Sequence, residues 1–125
     1  MTDIFLPVTF TLVSVLVILM IPLTGWVGLR RGETLRGDGG DPVLFKRIRI
    51  HGNLMENAPL FVFVLGAAEA TGLEPPWLWL AITTFIVGRG LHYALYDTQQ
   101  RGLAMLVTLL PGVFMGLWLL VQVWL

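Results

Sequence analysis

The sequence predicts an all-α protein in which four helices form an integral membrane bundle. The chain of 125 residues is 56% hydrophobic and only 13% charged, and its mean hydropathy is +0.80. Two uncharged runs, residues 4–29 and 102–125, are each longer than the about 20 residues that a helix needs to cross the hydrocarbon core. Short turns rich in glycine and proline divide the rest into helix-length segments. We therefore expect residues 1–125 to form one transmembrane domain.

The first helix is predicted over about residues 4–29. A signal peptide explains this run poorly, because it lacks a basic start and has no small-residue cleavage site before Arg30. The link that follows, RRGETLRGDGGDP, contains a glycine-rich turn. Its Asp41 and Pro42 are typical of an N-cap followed by proline at the first helical position.

The second helix is predicted over about residues 42–71. Its uncharged part, residues 57–68, is too short to span a membrane alone. The charged first half must therefore belong to the same helix and face protein rather than lipid. Turns at residues 71–76 and 97–100 then separate a third helix, about 75–96, from a fourth, about 101–124.

A stripe of polar side chains follows one face of the second helix. At about 100° per residue its members fall within an arc of roughly 80°, and they are Lys46, Arg49, Asn53 and Glu56. Because charges are expensive in lipid, such a set is a functional-site hypothesis by default. The end of the third helix adds a second polar group, made of Arg89, His92, Tyr93 and Tyr96.

The distribution of basic residues predicts the orientation. Six of the eight basic residues lie between the first hydrophobic run and the uncharged part of the second helix, namely Arg30, Arg31, Arg36, Lys46, Arg47 and Arg49. The positive-inside rule places this link in the cytoplasm and both termini on the periplasmic side of a bacterial inner membrane. The polar ends of all four helices then meet at one depth, which predicts one anion-binding pocket near the cytoplasmic face.

The residue types in this pocket favour a ligand with several carboxylates and one amine. Arginine binds carboxylates through two hydrogen bonds, and the Glu56 carboxylate can accept from an ammonium group. Tyrosine hydroxyls can hydrogen-bond a sulfur or an oxyanion. The chain has no cysteine, so any thiol must come from the substrate. Nothing in the sequence indicates a metal site or a nucleic-acid partner.

A structural explanation of the same residues stays open. Arg49, Glu56 and Arg89 would then form ion pairs that hold the helices together. The basic residues of the first link, including Arg31, would determine topology and contact lipid headgroups. His51 lies on another side of the second helix and is assigned to packing or to an interface.

Two motifs resemble one family. Arg49-x3-Asn53-x2-Glu56-x2-Pro59 is similar to the second-helix signature of the MAPEG family, the membrane-associated proteins in eicosanoid and glutathione metabolism. Gly88-Arg89-x2-His92-x3-Tyr96 resembles its third-helix motif. The GDGGDP loop and the Arg-Gly pair that opens the fourth helix resemble small bacterial members. The resemblance covers nearly the whole chain.

The resemblance implies a homotrimer that binds glutathione as a cosubstrate between subunits. The residues that it and the pocket chemistry assign to binding are Arg31, Arg49, Asn53, Glu56, Arg89, His92, Tyr93 and Tyr96. Arg101 and Tyr96 are the candidates for activating the thiol. The chain departs from the family at Asn57, where many members have an aromatic residue, and in the fourth helix, where Leu103 or Met105 replaces an arginine.

Three functions follow from these observations. The first is a glutathione S-transferase or peroxidase that acts on a lipophilic electrophile arriving from the bilayer, so that we favour an enzyme. The second is a non-catalytic membrane protein with the same fold. The third is a small multidrug transporter, which the lack of ionisable residues between 4 and 29 disfavours.

Overall fold

The computed structural model describes residues 5–32 and 37–125, and it contains four α-helices and no strand within those ranges. They are α1 (Pro7–Arg31), α2 (Pro42–Ala70), α3 (Pro75–Ala94) and α4 (Arg101–Trp124). The prediction of an all-α, four-helix fold is confirmed. Ile4 at the predicted start of the first helix and Arg36 in the basic link lie outside the described residues.

Proline sets the start of three of the four helices. Pro7, Pro42 and Pro75 occupy the first turn of α1, α2 and α3, where the missing N–H costs no helical hydrogen bond. Asp41 caps α2, because its Oδ1 accepts a hydrogen bond of 3.0 Å from the N–H of Val43. The sequence pattern at Asp41 and Pro42 therefore predicts the start of this helix correctly.

The core lies where α2 meets α3 and α4. The rings of Phe61 and Phe85 stack with their centroids 4.3 Å apart and nearly parallel, and Leu65 and Leu78 are fully buried beside them. α2 contacts all three other helices, while α1 packs mainly against α2. The second helix is thus the central element of the bundle.

Much of the remaining surface is apolar. Ile21, Leu60 and Phe63 are 82%, 77% and 77% exposed. Among the described residues, α1 and α4 are long and apolar enough to cross a membrane. α2 lacks so continuous a stretch because its first two turns carry Lys46 and two arginines. Apolar exposure on this scale is typical of a surface that faces lipid or another subunit.

The two ends of the bundle carry opposite charge. The end with the α1–α2 and α3–α4 connections, which we call the basic end, holds Arg30 and Lys46. Arg30 Nε lies 2.7 Å from Asp41 Oδ2, and Lys46 Nζ lies 2.6 Å from Asp97 Oδ2. The hydrogen bond from Arg30 lowers the pKa of Asp41. The ion pair between Arg30 and Asp41 therefore closes the connection between α1 and α2 as long as Asp41 is ionised.

Glu69 at the opposite end caps α1 from another helix. Its carboxylate accepts hydrogen bonds from the N–H of Val8 (2.9 Å), the N–H of Thr9 (2.8 Å) and the hydroxyl of Thr9 (2.6 Å). The residue at the N-cap position of α1, Leu6, has no side chain that can do this. The carboxylate satisfies otherwise free N–H groups and faces the positive end of the helix dipole.

The contact between α3 and α4 at Gly88 gives a first prediction. A Cβ atom on Gly88 would lie 2.5 Å from the backbone nitrogen and 2.7 Å from the Cα of Thr108. Gly88→Ala should therefore lower the free energy of unfolding by about 1–3 kcal/mol, measured in mixed detergent micelles. Gly90→Ala on the same helix is the control, since its new methyl group meets nothing within 4 Å. Equal stability of the two variants would contradict this close helix contact.

The Glu69 cap gives a second prediction. Glu69→Ala removes three hydrogen bonds to α1 and should cost about 0.5–2 kcal/mol in the same unfolding measurement. Glu74→Ala should leave stability unchanged, because the Glu74 side chain makes no cap hydrogen bond. A similar loss of stability in both variants would show that negative charge at this end, and not the cap hydrogen bonds of Glu69, stabilises the fold.

A candidate anion-binding site at the basic end

Four polar side chains from α2 and α3 form a connected row at the basic end. Arg49 Nη2 donates to Asn53 Oδ1 over 3.4 Å, and Asn53 Nδ2 lies 3.3 Å from His92 Nε2. Arg89 Nη2 lies 3.3 Å from the other ring nitrogen of His92, Nδ1. We call Arg49, Asn53, Arg89 and His92 the polar cluster. It extends from the exposed Arg49 inward to His92, which is only 3% exposed.

The fourth helix and the end of the third complete the surroundings of the polar cluster. The Tyr96 ring lies edge-on to His92 with the centroids 5.8 Å apart, and the Arg101 guanidinium lies 6.0 Å from the Tyr96 ring. Arg89 Nη1 contacts Met105 Sδ at 3.5 Å. The two candidates for thiol activation therefore lie next to the polar cluster, and Met105 contacts it directly.

The polar cluster is short of a hydrogen-bond acceptor. A neutral imidazole has one nitrogen that accepts and one that donates, whereas an arginine or an amide nitrogen only donates. Both ring nitrogens of His92 face donors, Arg89 on one side and the amide nitrogen of Asn53 on the other. Turning the Asn53 amide over would give His92 an acceptor but would remove the oxygen that Arg49 uses. A ligand that brings an acceptor, and an anion above all, would resolve this shortage.

Glu56 opens onto an apolar groove rather than onto an arginine. Within the described ranges its carboxylate forms neither an ion pair nor a hydrogen bond, and the side chain is exposed. It lines a groove of about 400 Å³ between α2, α3 and α4 together with Leu60, Phe61, Phe85, Thr108 and Leu109. The groove has a negative charge near its polar end and apolar walls along the membrane-facing part.

Two residues that sequence reasoning did not place in the site belong to its frame. Asn57 Nδ2 donates to the backbone carbonyl of Asn53 over 2.6 Å, so an amide stands where many family members have an aromatic ring. Met105 contacts Arg89, as described above, and its position one turn after Arg101 is the signal that could have identified it. Thr108, one of the groove residues, is 1% exposed and uses its hydroxyl on the carbonyl of Ala104.

Tyr93 and Arg31 lie apart from the polar cluster. Tyr93 faces α1, where its ring lies 6.2 Å from the ring of Trp26. Lys46 Nζ lies 5.6 Å from that same Tyr93 ring and 5.5 Å from the ring of Tyr96. Arg31 makes no hydrogen bond or ion pair with the polar cluster in the part of the chain that the structure describes. Of the predicted binding residues, Tyr93, Arg31 and Glu56 have no hydrogen bond, ion pair or ring contact with the polar cluster in the described part of the chain.

The ion pairs that the structural explanation predicts do not form within the described part of a single chain. Between the described residues the ion pairs are Arg30 with Asp41 and Lys46 with Asp97. Neither includes Arg49, Glu56 or Arg89. The two arginines of the polar cluster therefore have no carboxylate partner among the described residues.

Four apolar helices with a polar cluster at one end are typical of a membrane protein. A family model identifies it more closely: the model of the MAPEG family matches residues 9–121, and the chain belongs to this family. The resemblance of the two motifs is thus confirmed.

Two curated relatives of this family align with about two thirds of the chain. They are the inner membrane protein YecN of Escherichia coli K12 and the protein of the same name from Escherichia coli O6:H1, strain CFT073. Each is 32% identical over 88 residues, which is 66% of this chain and 67% of the relative. No solved structure matches the chain.

Proposed function

We propose that this protein binds glutathione at the polar cluster and is a glutathione S-transferase or peroxidase of a bacterial inner membrane. The shortage of a hydrogen-bond acceptor around His92 carries the proposal, because it calls for an anion in a part of the bundle where arginine and amide donors converge. Membership of the MAPEG family and the inner-membrane location named for YecN support it.

Each charged group of glutathione has a matching side chain. The exposed Arg49 donates one long hydrogen bond of 3.4 Å to Asn53, so its remaining N–H groups can donate two hydrogen bonds to a carboxylate. Glu56 can accept from the α-ammonium group. Arg89 and His92 supply further donors at the buried end. The tripeptide would thus lie along the stripe on α2 with its cysteine directed towards Tyr96 and Arg101.

The thiol would be activated by positive charge and by a hydrogen bond. The Arg101 guanidinium and the Tyr96 hydroxyl would lower the pKa of the glutathione thiol, so that its proton leaves to water at neutral pH. The sulfur would then form a bond to the electrophilic carbon of a substrate in the apolar groove. As this bond forms, the bond between the same carbon and its leaving group breaks, and the electron pair of that bond goes with the leaving group.

The second candidate is a glutathione-binding protein without turnover. The observation that favours it is the uncharged Met105 in contact with Arg89, because Leu103 or Met105 stands where the family resemblance implies an arginine. Arg101 is then the nearest cation on α4, and it reaches the Tyr96 ring rather than the polar cluster. The transporter hypothesis has no comparable support, since α1 carries no ionisable residue before Arg30.

The trimer belongs to the same proposal. Arg49 and Glu56 are exposed in one chain, although their partner should be a buried zwitterion. A homotrimer in which a neighbouring subunit closes the groove would exclude water from the ligand. Arg31, which has no partner in the polar cluster of its own chain, would be free to face the site of that neighbour. We further propose that the basic end faces the cytoplasm and that both termini are periplasmic.

Glutathione binding gives the third prediction. Arg49→Ala and Glu56→Gln should each weaken binding about 10- to 100-fold in isothermal titration, because each removes a charged hydrogen bond worth roughly 1.5–3 kcal/mol. Glu74→Gln at the opposite end is the matched control and should bind as the unaltered protein does. Unchanged glutathione affinity in both site variants would show that the stripe on α2 does not bind glutathione and has a structural role only.

Thiolate formation gives the fourth prediction and separates the two candidates. The ultraviolet absorbance of bound thiolate should appear at neutral pH, and its apparent pKa should rise in Arg101→Ala and in Tyr96→Phe. The rise follows because each variant removes a group that stabilises the thiolate and not the thiol. Tight glutathione binding with no thiolate signal would instead favour the non-catalytic protein.

A further inference from the structure

Two adjoining cavities lie on the α1 side of α2, and the second of them reaches Arg89 of the polar cluster. The first, which we call the basic cleft, has a volume of about 360 Å³ and is lined by Trp26, Pro42, Lys46, Arg47, Tyr93 and Asp97. The second, the apolar cleft, has a volume of about 510 Å³ and is lined mainly by Leu23, Ile50, Leu54 and Ile86. Trp26 and Tyr93 line both clefts, so that the two form one continuous space.

Apart from Lys46, the α2 residues that line the clefts lie on a different face from Arg49, Asn53 and Glu56. Arg47 and Arg49 are two positions apart and therefore point about 200° apart around the helix. Ile50 and Leu54 follow the Arg47 side, whereas Asn53 and Glu56 follow the Arg49 side. The two sites adjoin at Lys46, which belongs to the polar stripe, and at Arg89, which lines the apolar cleft.

Arg47 and Lys46 in the basic cleft have N–H groups that can bind a ligand. Arg47 Nη1 donates to the backbone carbonyl of Trp26 over 2.6 Å, and the guanidinium lies over the Trp26 ring at 5.0 Å. Four of its five N–H donors are thus not needed for that bond. Lys46 is paired with Asp97, but the Asp97 side chain is 74% exposed, and a pair so exposed contributes little to stability. Lys46 can therefore exchange Asp97 for a phosphate at small cost.

The apolar cleft would hold a hydrocarbon chain. It begins at the level of Trp26 and Tyr93, whose rings lie 6.2 Å apart, and aromatic residues of this kind mark the boundary between headgroups and hydrocarbon. From there Leu23 and Ile86 line it away from the basic end, one turn before Trp26 and two turns before Tyr93 along their helices. Free phosphate would leave this volume of about 510 Å³ empty.

His51 supplies a further observation. It lies one turn after Arg47 on α2 and lines the apolar cleft. Its Nε2 atom is buried and has no hydrogen-bond partner among the residues that the structure describes. Rotation of the ring towards the cleft would pair it with an ester oxygen at the depth just below a phosphate, which would remove the cost of an unsatisfied polar atom.

We propose that the space between α1, α2 and α3 is a binding site for one anionic glycerophospholipid, with the phosphate at Lys46 and Arg47 and an acyl chain in the apolar cleft. Charge selects an anionic lipid over a zwitterionic one, and the apolar volume selects a lipid over a free anion. The proposal does not depend on glutathione, since it rests on Lys46, Arg47 and the apolar volume and not on Arg49, Asn53 or Glu56.

Native mass spectrometry of the purified protein tests the proposal with phosphatidylglycerol and phosphatidylcholine of identical chains. One phosphatidylglycerol per subunit should be retained, and phosphatidylcholine should be lost. Each of Lys46→Gln and Arg47→Gln should weaken retention of phosphatidylglycerol about fivefold, in line with the attraction between one basic residue and an anionic membrane surface. Arg49→Gln, on the other face of α2, should retain the lipid unchanged.

A second variant tests the apolar cleft without altering charge. Gly90 lines this cleft, and a side chain there starts in open space. Gly90→Leu should therefore keep the fold, fill part of the volume and weaken phosphatidylglycerol retention. Equal retention of both lipids would overturn the charge argument. If added inorganic phosphate displaced phosphatidylglycerol, or if Gly90→Leu retained phosphatidylglycerol fully, the site would bind the phosphate alone. Either result would overturn the proposal for a phospholipid.

Discussion

One imidazole shared between two helices is the constraint on which the candidate site depends. His92 on α3 meets Asn53 on α2 and Arg89 on its own helix, yet a neutral ring can accept only one hydrogen bond. In an apolar bundle water does not correct such a deficit, and the polar groups must be satisfied inside the protein or by a ligand. The close contact at Gly88, one turn before His92, holds α3 against α4 and fixes the position of the ring.

The central position of α2 separates two kinds of chemistry. One face carries Arg49, Asn53 and Glu56, where isolated donors and an unpaired carboxylate match a zwitterionic peptide. The side towards α1 carries Arg47, with Lys46 at the edge of the stripe beside it, above an apolar cleft, which matches an amphiphile with a negative headgroup. Both sites lie at the basic end because only there do the charged first turns of α2 meet the ends of α1 and α3.

The helices and the polar cluster were predictable from the sequence because they follow local patterns. Uncharged runs define α1 and α4, Asp41 with Pro42 begins α2, and helical periodicity brings Arg49 and Asn53 onto one face. Contacts between distant segments were not predictable. Tyr93 follows His92 by one position, and only the packing of α1 shows that it faces Trp26 instead of the site. The Glu69 cap joins residues 60 and 61 positions apart, and the homotrimer stays a prediction.

The most direct test uses the fact that the chain has only two histidines, His51 and His92. Side-chain nitrogen NMR of the histidine-labelled protein in lipid nanodiscs would follow both rings during titration with glutathione, with His51→Gln used to assign the signals. The account predicts that the His92 signals shift with saturation, because the ligand brings the missing acceptor, and that the His51 signals stay in place. An unchanged His92 at saturating glutathione, or an equal shift of His51, would contradict a glutathione site at the polar cluster.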